Sequence, residues 1–327
     1  MSLYRRTKSR LHVIIKDHVV RYVINHQPKV ESIISYGEIP IPKGVLQDGK
    51  IMNHKAFVEL MKGMVEKERI HRSEVFFTVP DATAIIRTQR VPKGLSIDEI
   101  KGYLYLQIGN KIHLPFSNPI INIHRTNHVM DEEEQVLLFA FPAERLRQFQ
   151  LLFKELTLNP VVADLSTLSL YRLYVQKELA ETDEYLLSVQ WNVDSIVLTV
   201  FHESHPVFFR HMKSTLPSEK WVYKPDKWIH SPDSVFFWKG EKGHINGYVE
   251  DKLLEIERFM NFYKSPTANG EASINKIILT GDFPGLDGII EKCRQRFKLP
   301  INDIQEDITI IPKRYVEALG LAIKPVI

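Results

Sequence analysis

The sequence predicts an α/β protein of two related domains, with an α+β subdomain inserted in the first. Three observations carry this. A trio of strand-like runs opens the chain at Leu11–Ile15, Val19–Ile24 and about Ser32–Ile39, and a similar trio recurs at Tyr185–Val189, Ile196–His202 and Val207–His211. Two halves that begin alike imply a duplicated architecture. Between Thr83 and Leu158 a strand-helix-strand-strand-helix block interrupts the first half. The polar stretch Ala180–Glu184 then marks a boundary, which gives a first domain over 1–182 with the insertion at about 83–158. The second domain spans 183–327, with a small upper lobe at about 214–272. A length of 327 residues suits two domains and buries a core without disulfides.

Each element has a local reason. Only Lys16-Asp17-His18 separates the first two strands, the spacing of a tight hairpin. Asn53 is a suitable N-cap for a helix whose Phe57, Leu60, Met61, Met64 and Val65 keep helical spacing. Val75–Val79 is a short apolar run stopped by Pro80, as a buried strand would be. In the insertion, a strand at Ala84–Thr88 precedes a helix entered at Ser96, where Ser96 and Glu99 fit a capping box. Strands at Asn118–Arg125 and Gln135–Phe141 flank a charged turn, Asp131–Glu134, and a helix at Glu144–Leu156 closes the block. The strand Val161–Ala163 and a helix over about Leu165–Leu179 complete the first half. In the second, an irregular stretch from Ser214 to Gly247 holds Trp221, Trp228 and Trp238. A helix at Val249–Tyr263, a loop at Ser265–Glu271, a strand at Lys276–Thr280 and helices at Gly288–Phe297 and about Tyr315–Leu321 follow.

Composition narrows the function. Lys plus Arg is 43 against 40 for Asp plus Glu, so a basic coat for nucleic acid and an acidic tail are both excluded as themes. The single cysteine, Cys293, rules out a disulfide framework and a cysteine-based zinc site, suits a reducing cytoplasm, and is expected to be a buried structural thiol. No run reaches the roughly 18 apolar residues of a membrane span, and the N-terminus lacks the apolar core of a signal peptide. A cytoplasmic protein that reaches a membrane only through a partner is therefore expected. Thirteen histidines show no metal-ligand spacing, and neither a Gly-x-x-x-x-Gly-Lys phosphate loop, a Gly-x-Gly-x-x-Gly fingerprint nor a Gly-x-Ser-x-Gly nucleophile elbow occurs. No metal and no catalytic residue is expected.

The order of the blocks, together with several positioned motifs, resembles the type IV pilus assembly PilM family, which has an actin-like (ribonuclease H-like) ATPase fold close to that of the division protein FtsA. The motifs are Ile39-Pro-Ile-Pro-Lys-Gly-Val-Leu-Gln-Asp-Gly-Lys-Ile51, Arg87-Thr-Gln-Arg-Val-Pro92, Ile112-His-Leu-Pro-Phe116, Ile277-Ile-Leu-Thr-Gly281 and Ala318-Leu-Gly-Leu-Ala322. The resemblance implies a scaffold of type IV or competence-pilus assembly at the cytoplasmic face of the inner membrane. It further implies docking of the N-terminal cytoplasmic peptide of a PilN-like inner-membrane protein in a groove beside the insertion, and contacts to other pilus assembly proteins. By the resemblance alone, Arg87, Arg90, Tyr103 and Tyr105 are candidate peptide contacts.

The departures from the family matter as much. Actin-like folds handle Mg-ATP with two hairpin loops, each typically Asp-x-Gly: the acid holds the ion or its waters and the glycine admits the phosphates. Registered on the two hairpins, Ile14 stands at the first aspartate position and Lys16 at the first glycine; Gln190 and Asn192 stand at the second pair. The third loop survives partly, as Gly281-Asp282. With 15 glycines in 327 residues, below the usual ~7%, no other cradle compensates. A degenerate nucleotide site without hydrolysis is expected, with no cofactor and weak Mg-ATP binding left open. An active actin-fold ATPase or small-molecule kinase with unusual ligands, and a polymerising actin-like filament, are the alternatives.

Several residues admit two readings. Lys16, Asp17 and His18 form either a rebuilt phosphate contact or a solvated turn. Asp164 either faces the cleft as a magnesium or water-positioning acid or caps the next helix. The tryptophans form either a binding patch or the core of the upper lobe.

Overall fold

The computed structural model describes residues 9–224, 235–264, 273–302, 304 and 311–325. Trp228 and the Ser265–Glu271 loop lie outside the described residues. The first domain starts with the antiparallel ribbon β1 (Arg10–Ile15), β2 (Val19–Asn25) and β3 (Ile33–Pro40), then the short β4 (Leu46–Gln47) and β5 (Lys50–Ile51), helix α1 (His54–Glu68) and β6 (Glu74–Thr78). Asn53 caps α1 by accepting from the Ala56 amide, as its sequence predicts. The inserted elements are β7 (Ile85–Pro92), α2 (Ile97–Gln107), β8 (Pro119–Met130) and β9 (Glu133–Pro142). Helix α3 (Ala143–Glu155), strand β10 (Asn159–Asp164) and helix α4 (Ser166–Gln176) return to the first domain.

The second domain holds β11 (Tyr185–Trp191), β12 (Ser195–His202), β13 (His205–Lys213), the small ribbon β14 (Trp221–Tyr223) and β15 (Phe236–Trp238), and helix α5 (Lys242–Tyr263). Strand β16 (Lys276–Gly281), helix α6 (Leu286–Phe297), strand β17 (Ile301–Asn302) and helix α7 (Val316–Ala322) complete it.

The duplication read from the sequence is a duplication of topology. One five-stranded sheet runs β3-β2-β1-β6-β10 and the other β13-β12-β11-β16-β17. In both, the opening three strands pair antiparallel and the later two join in parallel. Parallel pairing needs crossover connections, which α1, α5 and α6 supply while covering sheet faces. Strands β1, β2, β11 and β12 are buried along nearly their whole length, so they are mainly apolar on both faces, with buried polar residues such as His12, Arg21 and Gln190 among them.

The packing crosses the sequence boundaries in two places. Helix α3, which closes the inserted block in sequence, sends Phe149 and Phe153 into the first domain's core against Phe77. The subdomain's own core is instead formed by the three-stranded sheet β7-β9-β8 and α2, through Val91, Ile100, Leu104 and Val136. Helix α7, the last of the second half, lies in a shared core with α4 and with Ile14, Val23 and Phe76 of the first domain. Gly320 makes that closeness possible: a Cβ there would stand 1.8 Å from the Ser169 carbonyl oxygen.

Three elements differ from the sequence expectation for physical reasons. Glu133 and Glu134 belong to β9, not to a turn, because Glu134 is buried against Arg125 at 3.3 Å. Helix α4 ends at Gln176, three residues before Leu179. Helix α5 starts at Lys242, seven residues before Val249: Gly243 and Gly247 weaken the helical signal, yet Ile245 packs on the core and holds that turn.

Candidate functional site

The two hairpin turns at Lys16–His18 and Asn192–Asp194 face each other across the interdomain cleft. Both are closed by backbone bonds, Lys16 N–H to the Val19 carbonyl at 2.9 Å and Asn192 N–H to the Ser195 carbonyl at 2.8 Å. Lys16 is 8% exposed, and its ammonium donates to Asn192 Oδ1 at 2.6 Å and to Glu317 Oε1 at 2.7 Å. Gln190 Nε2 donates to the same Glu317 oxygen at 2.8 Å and also meets the Ser166 hydroxyl at 3.2 Å. Three of the four hairpin residues flagged by the sequence therefore meet in one network, organised by Glu317 of α7. Ile14 does not join it. Its side chain is buried in the shared apolar core, where a carboxylate would have to be desolvated.

A second layer seals the third loop. Asp282 accepts from Arg21 Nη1 at 2.7 Å, from the Val193 amide at 2.9 Å and from His18 Nε2 at 2.7 Å. His18 Nδ1 lies 3.0 Å from Asp194 Oδ2, which also accepts the Asp17 amide at 3.0 Å. Burial alone would lower the His18 pKa, but the Asp282 and Asp194 carboxylates outweigh it and raise it to about 9. Burial pushes Asp194 and Asp282 up, while the charged His18 holds Asp194 near 2 and, with Arg21, keeps Asp282 well below the carboxylate range. Gly281 is obligatory here, since its φ is +134° and a Cβ would lie 2.0 Å from the Trp191 carbonyl oxygen.

The Lys16-Asp17-His18 turn is thus packed against the second domain, with Lys16 buried and Asp17 and His18 half-buried. Asp17 accepts the amides of Asp48 and Gly49, pinning the loop before α1. A cavity of about 30 Å³ remains, lined by Asp17, Asp48, Asp81, Asp194 and Lys213 among others. Burial raises the Asp81 pKa there to about 7. This space is small beside a typical small-molecule site, which is on the order of 300–1,000 Å³. Among the described residues, no group of three or more His, Cys, Asp or Glu could hold a metal ion.

Asp164 is buried at the end of β10, where its Oδ1 accepts the Leu165 amide at 2.9 Å. Its Oδ2 accepts from Arg172 Nη2 and Lys324 Nζ, each at 2.8 Å, and α4 has no side-chain cap. The residue ties β10 to α4 and to the chain's C-terminal segment. Trp221 and Trp238 stack edge-to-face at 5.1 Å, and Trp221 leans on Phe283, so the pair forms a small apolar core. Cys293 is buried, and burial pushes its thiol up to about 12.

The second feature is a groove of about 570 Å³ between the insertion, the first domain and the β12–β13 turn. Consecutive residues Ile120, Ile121, Asn122, Ile123 and His124 of β8 line it. A strand presenting one face contributes alternate residues, so the groove follows the edge of β8, which is terminal in its sheet. Leu137, Phe139 and Phe141 add to an apolar lining in which Lys101, Asp164 and Lys324 are the charged groups. Arg87, Arg90, Tyr103 and Tyr105 do not line it. Arg87 donates to the His113 carbonyl, Tyr105 to the Pro119 carbonyl, Tyr103 packs on the subdomain core and Arg90 is exposed on β7.

The family model of type IV pilus assembly protein PilM matches residues 15–214. The chain belongs to the PilM family. Among solved structures it is similar to the PilM-PilN type IV pilus biogenesis complex, at 17% identity and a TM-score of 0.74, covering 97% of this chain and 99% of that one. It is also similar to a Bacteroides thetaiotaomicron protein of actin-like ATPase fold and unknown function, at 10% identity and TM-score 0.51, covering 99% and 100% of the two chains. The ethanolamine utilization protein EutJ from Carboxydothermus hydrogenoformans gives 11% identity, TM-score 0.52 and coverages of 96% and 89%. No curated protein matches in sequence. The actin-like fold implied by the sequence motifs is therefore borne out in this PilM-family chain. Among the described residues no helix is long and apolar enough to cross a membrane.

Proposed function

We propose that this PilM-family chain is a cytoplasmic scaffold of type IV or competence-type pilus assembly that docks the N-terminal tail of a PilN-like inner-membrane partner and does not hydrolyse ATP. The observation that carries the docking half is the groove along the β8 edge. An extended peptide there can pair its main chain with the strand while alternate side chains enter the apolar lining. The similarity to the solved PilM-PilN complex supports the choice of partner. Attachment through such a partner would hold the chain at the inner face of the membrane.

The second half rests on the cleft. Lys16 fills the position that would admit a phosphate, and its charge is engaged by Glu317 and Asn192. Ile14 and Gln190 replace the two acids that would hold magnesium. The fold then serves docking, with protein side chains closing what nucleotide closes in an ATPase. The test is a calorimetric titration with the N-terminal cytoplasmic peptide of a PilN-like protein. Saturable one-to-one binding is expected, and absence of heat at high peptide concentration would sink the docking reading.

A further inference from the structure

One end of the groove is formed by the second domain, through Ser204, His205 and Pro206 at the β12–β13 turn. There the rings of His124, on β8, and His205 meet across the groove, with their Nε2 atoms 3.2 Å apart and centroids at 5.1 Å. A hydrogen bond between two imidazoles needs one ring nitrogen to be bare, so it exists only while at most one ring is charged. The charged and titratable neighbours are His128 and Glu203, themselves paired at 3.1 Å, His202 stacked on Tyr185, Lys101 on α2, and the Lys324–Asp164 pair across the groove. His128–Glu203 is a second link between the same two elements; a positive charge on His128 strengthens it, so it works against opening, and the His124–His205 contact is the one that a second charge weakens. Burial and the neighbouring His124 both lower the His205 pKa, consistent with repulsion between the rings when charged.

Resting on the docking reading above, we infer that the His124–His205 contact is a gate between the insertion and the second domain: an extended occupant enters the groove by breaking it, and a second proton on the pair opens it. The bond is of the size that shifts an equilibrium roughly fivefold, the equivalent of about 1 kcal/mol. Losing either ring frees the groove by that amount.

The experiment is fluorescence anisotropy with a labelled N-terminal cytoplasmic peptide of a PilN-like protein, on the full chain and on His124→Leu and His205→Leu, which remove the bond. Wild type is expected to bind roughly fivefold more tightly at about pH 5.5 than at about pH 7.5, and each variant to bind tightly at both. Binding that is equal in all three proteins and independent of pH overturns the gate while leaving docking intact. Failure of every protein to bind overturns the docking reading and the gate with it. A peptide-free measurement stands beside this: a thiol introduced as Ile121→Cys on the groove wall is expected to be alkylated several-fold faster when combined with His205→Leu at one fixed pH. Equal rates overturn the gate even if both proteins are folded.

Discussion

Lys16 Nζ lies 2.6 Å from Asn192 Oδ1, so the two residues that replace the glycines of the paired hairpins hold each other across the cleft. Glu317, 2.7 Å from the same ammonium, completes the contact from α7. Removing one member of such a buried pair leaves an uncompensated charge, which is worse than removing both.

Lys16→Met or Glu317→Gln alone should therefore lower unfolding stability by about 3 kcal/mol, whereas the two together should recover most of that loss. Urea unfolding of the two single variants and the double variant gives the cycle directly. Additive losses would mean that the pair is not coupled.

Stability should fall at both ends of the pH range. His18 has a pKa raised from 6.5 to about 9, so its contribution is complete below pH 6.5 and is lost as pH rises through 9. Asp194 is lowered from 3.8 to about 2, so its contribution is present above pH 3.8 and lost as pH falls through 2. Urea midpoints across pH should show both limbs, and His18→Gln should flatten the alkaline one.

Asp81 acts with the opposite sign. Its pKa, raised from 3.8 to about 7, penalises the folded state increasingly as pH climbs through that interval. Asp81→Asn keeps an acceptor for the Ser166 hydroxyl. It should be more stable than wild type above neutrality and close to it in acid, which thermal melts at two pH values would decide.

Two helix glycines should respond in opposite directions. Gly320→Ala drives a methyl group into the Ser169 carbonyl and should cost about 1–3 kcal/mol or more by separating α4 from α7. Gly63→Ala, in α1 with open space around it, should gain about 0.5–1 kcal/mol. Thermal unfolding of both variants tests the shared core between the domains.

On the groove, Ile120 is 43% exposed and lines the cavity, so Ile120→Asp should leave folding intact while weakening partner-peptide binding at least about tenfold. Circular dichroism with the peptide titration separates the two effects. Unchanged affinity would remove the β8 edge from the docking site.

How much of this was legible in the sequence follows from whether a signal is local. The paired hairpins were legible because each carries its own short turn between strands, and Lys16 and Asn192 meet across the cleft. Asn53 and the Ser96–Glu99 box identify their helices because capping is decided within four residues. Asp164 could not be resolved, since its partners Arg172 and Lys324 come from later segments. Glu317 was missed, although it is the one charged residue in the otherwise apolar helix Val316–Ala322, and that isolation was a readable sign. Arg21, in the middle of an apolar strand, gave the same sign. The groove left no local mark because its walls are assembled from three parts of the chain, and resemblance directed attention to Arg87, Arg90, Tyr103 and Tyr105 nearby.

We propose that protein side chains close the cleft between the paired hairpins. Isothermal titration calorimetry of the full chain with Mg-ATP, carried to millimolar nucleotide, tests it most directly. No binding heat is expected in wild type. Saturable micromolar binding that is lost on substituting Lys16 would contradict it, and the cleft would then have to be understood as a rebuilt phosphate site.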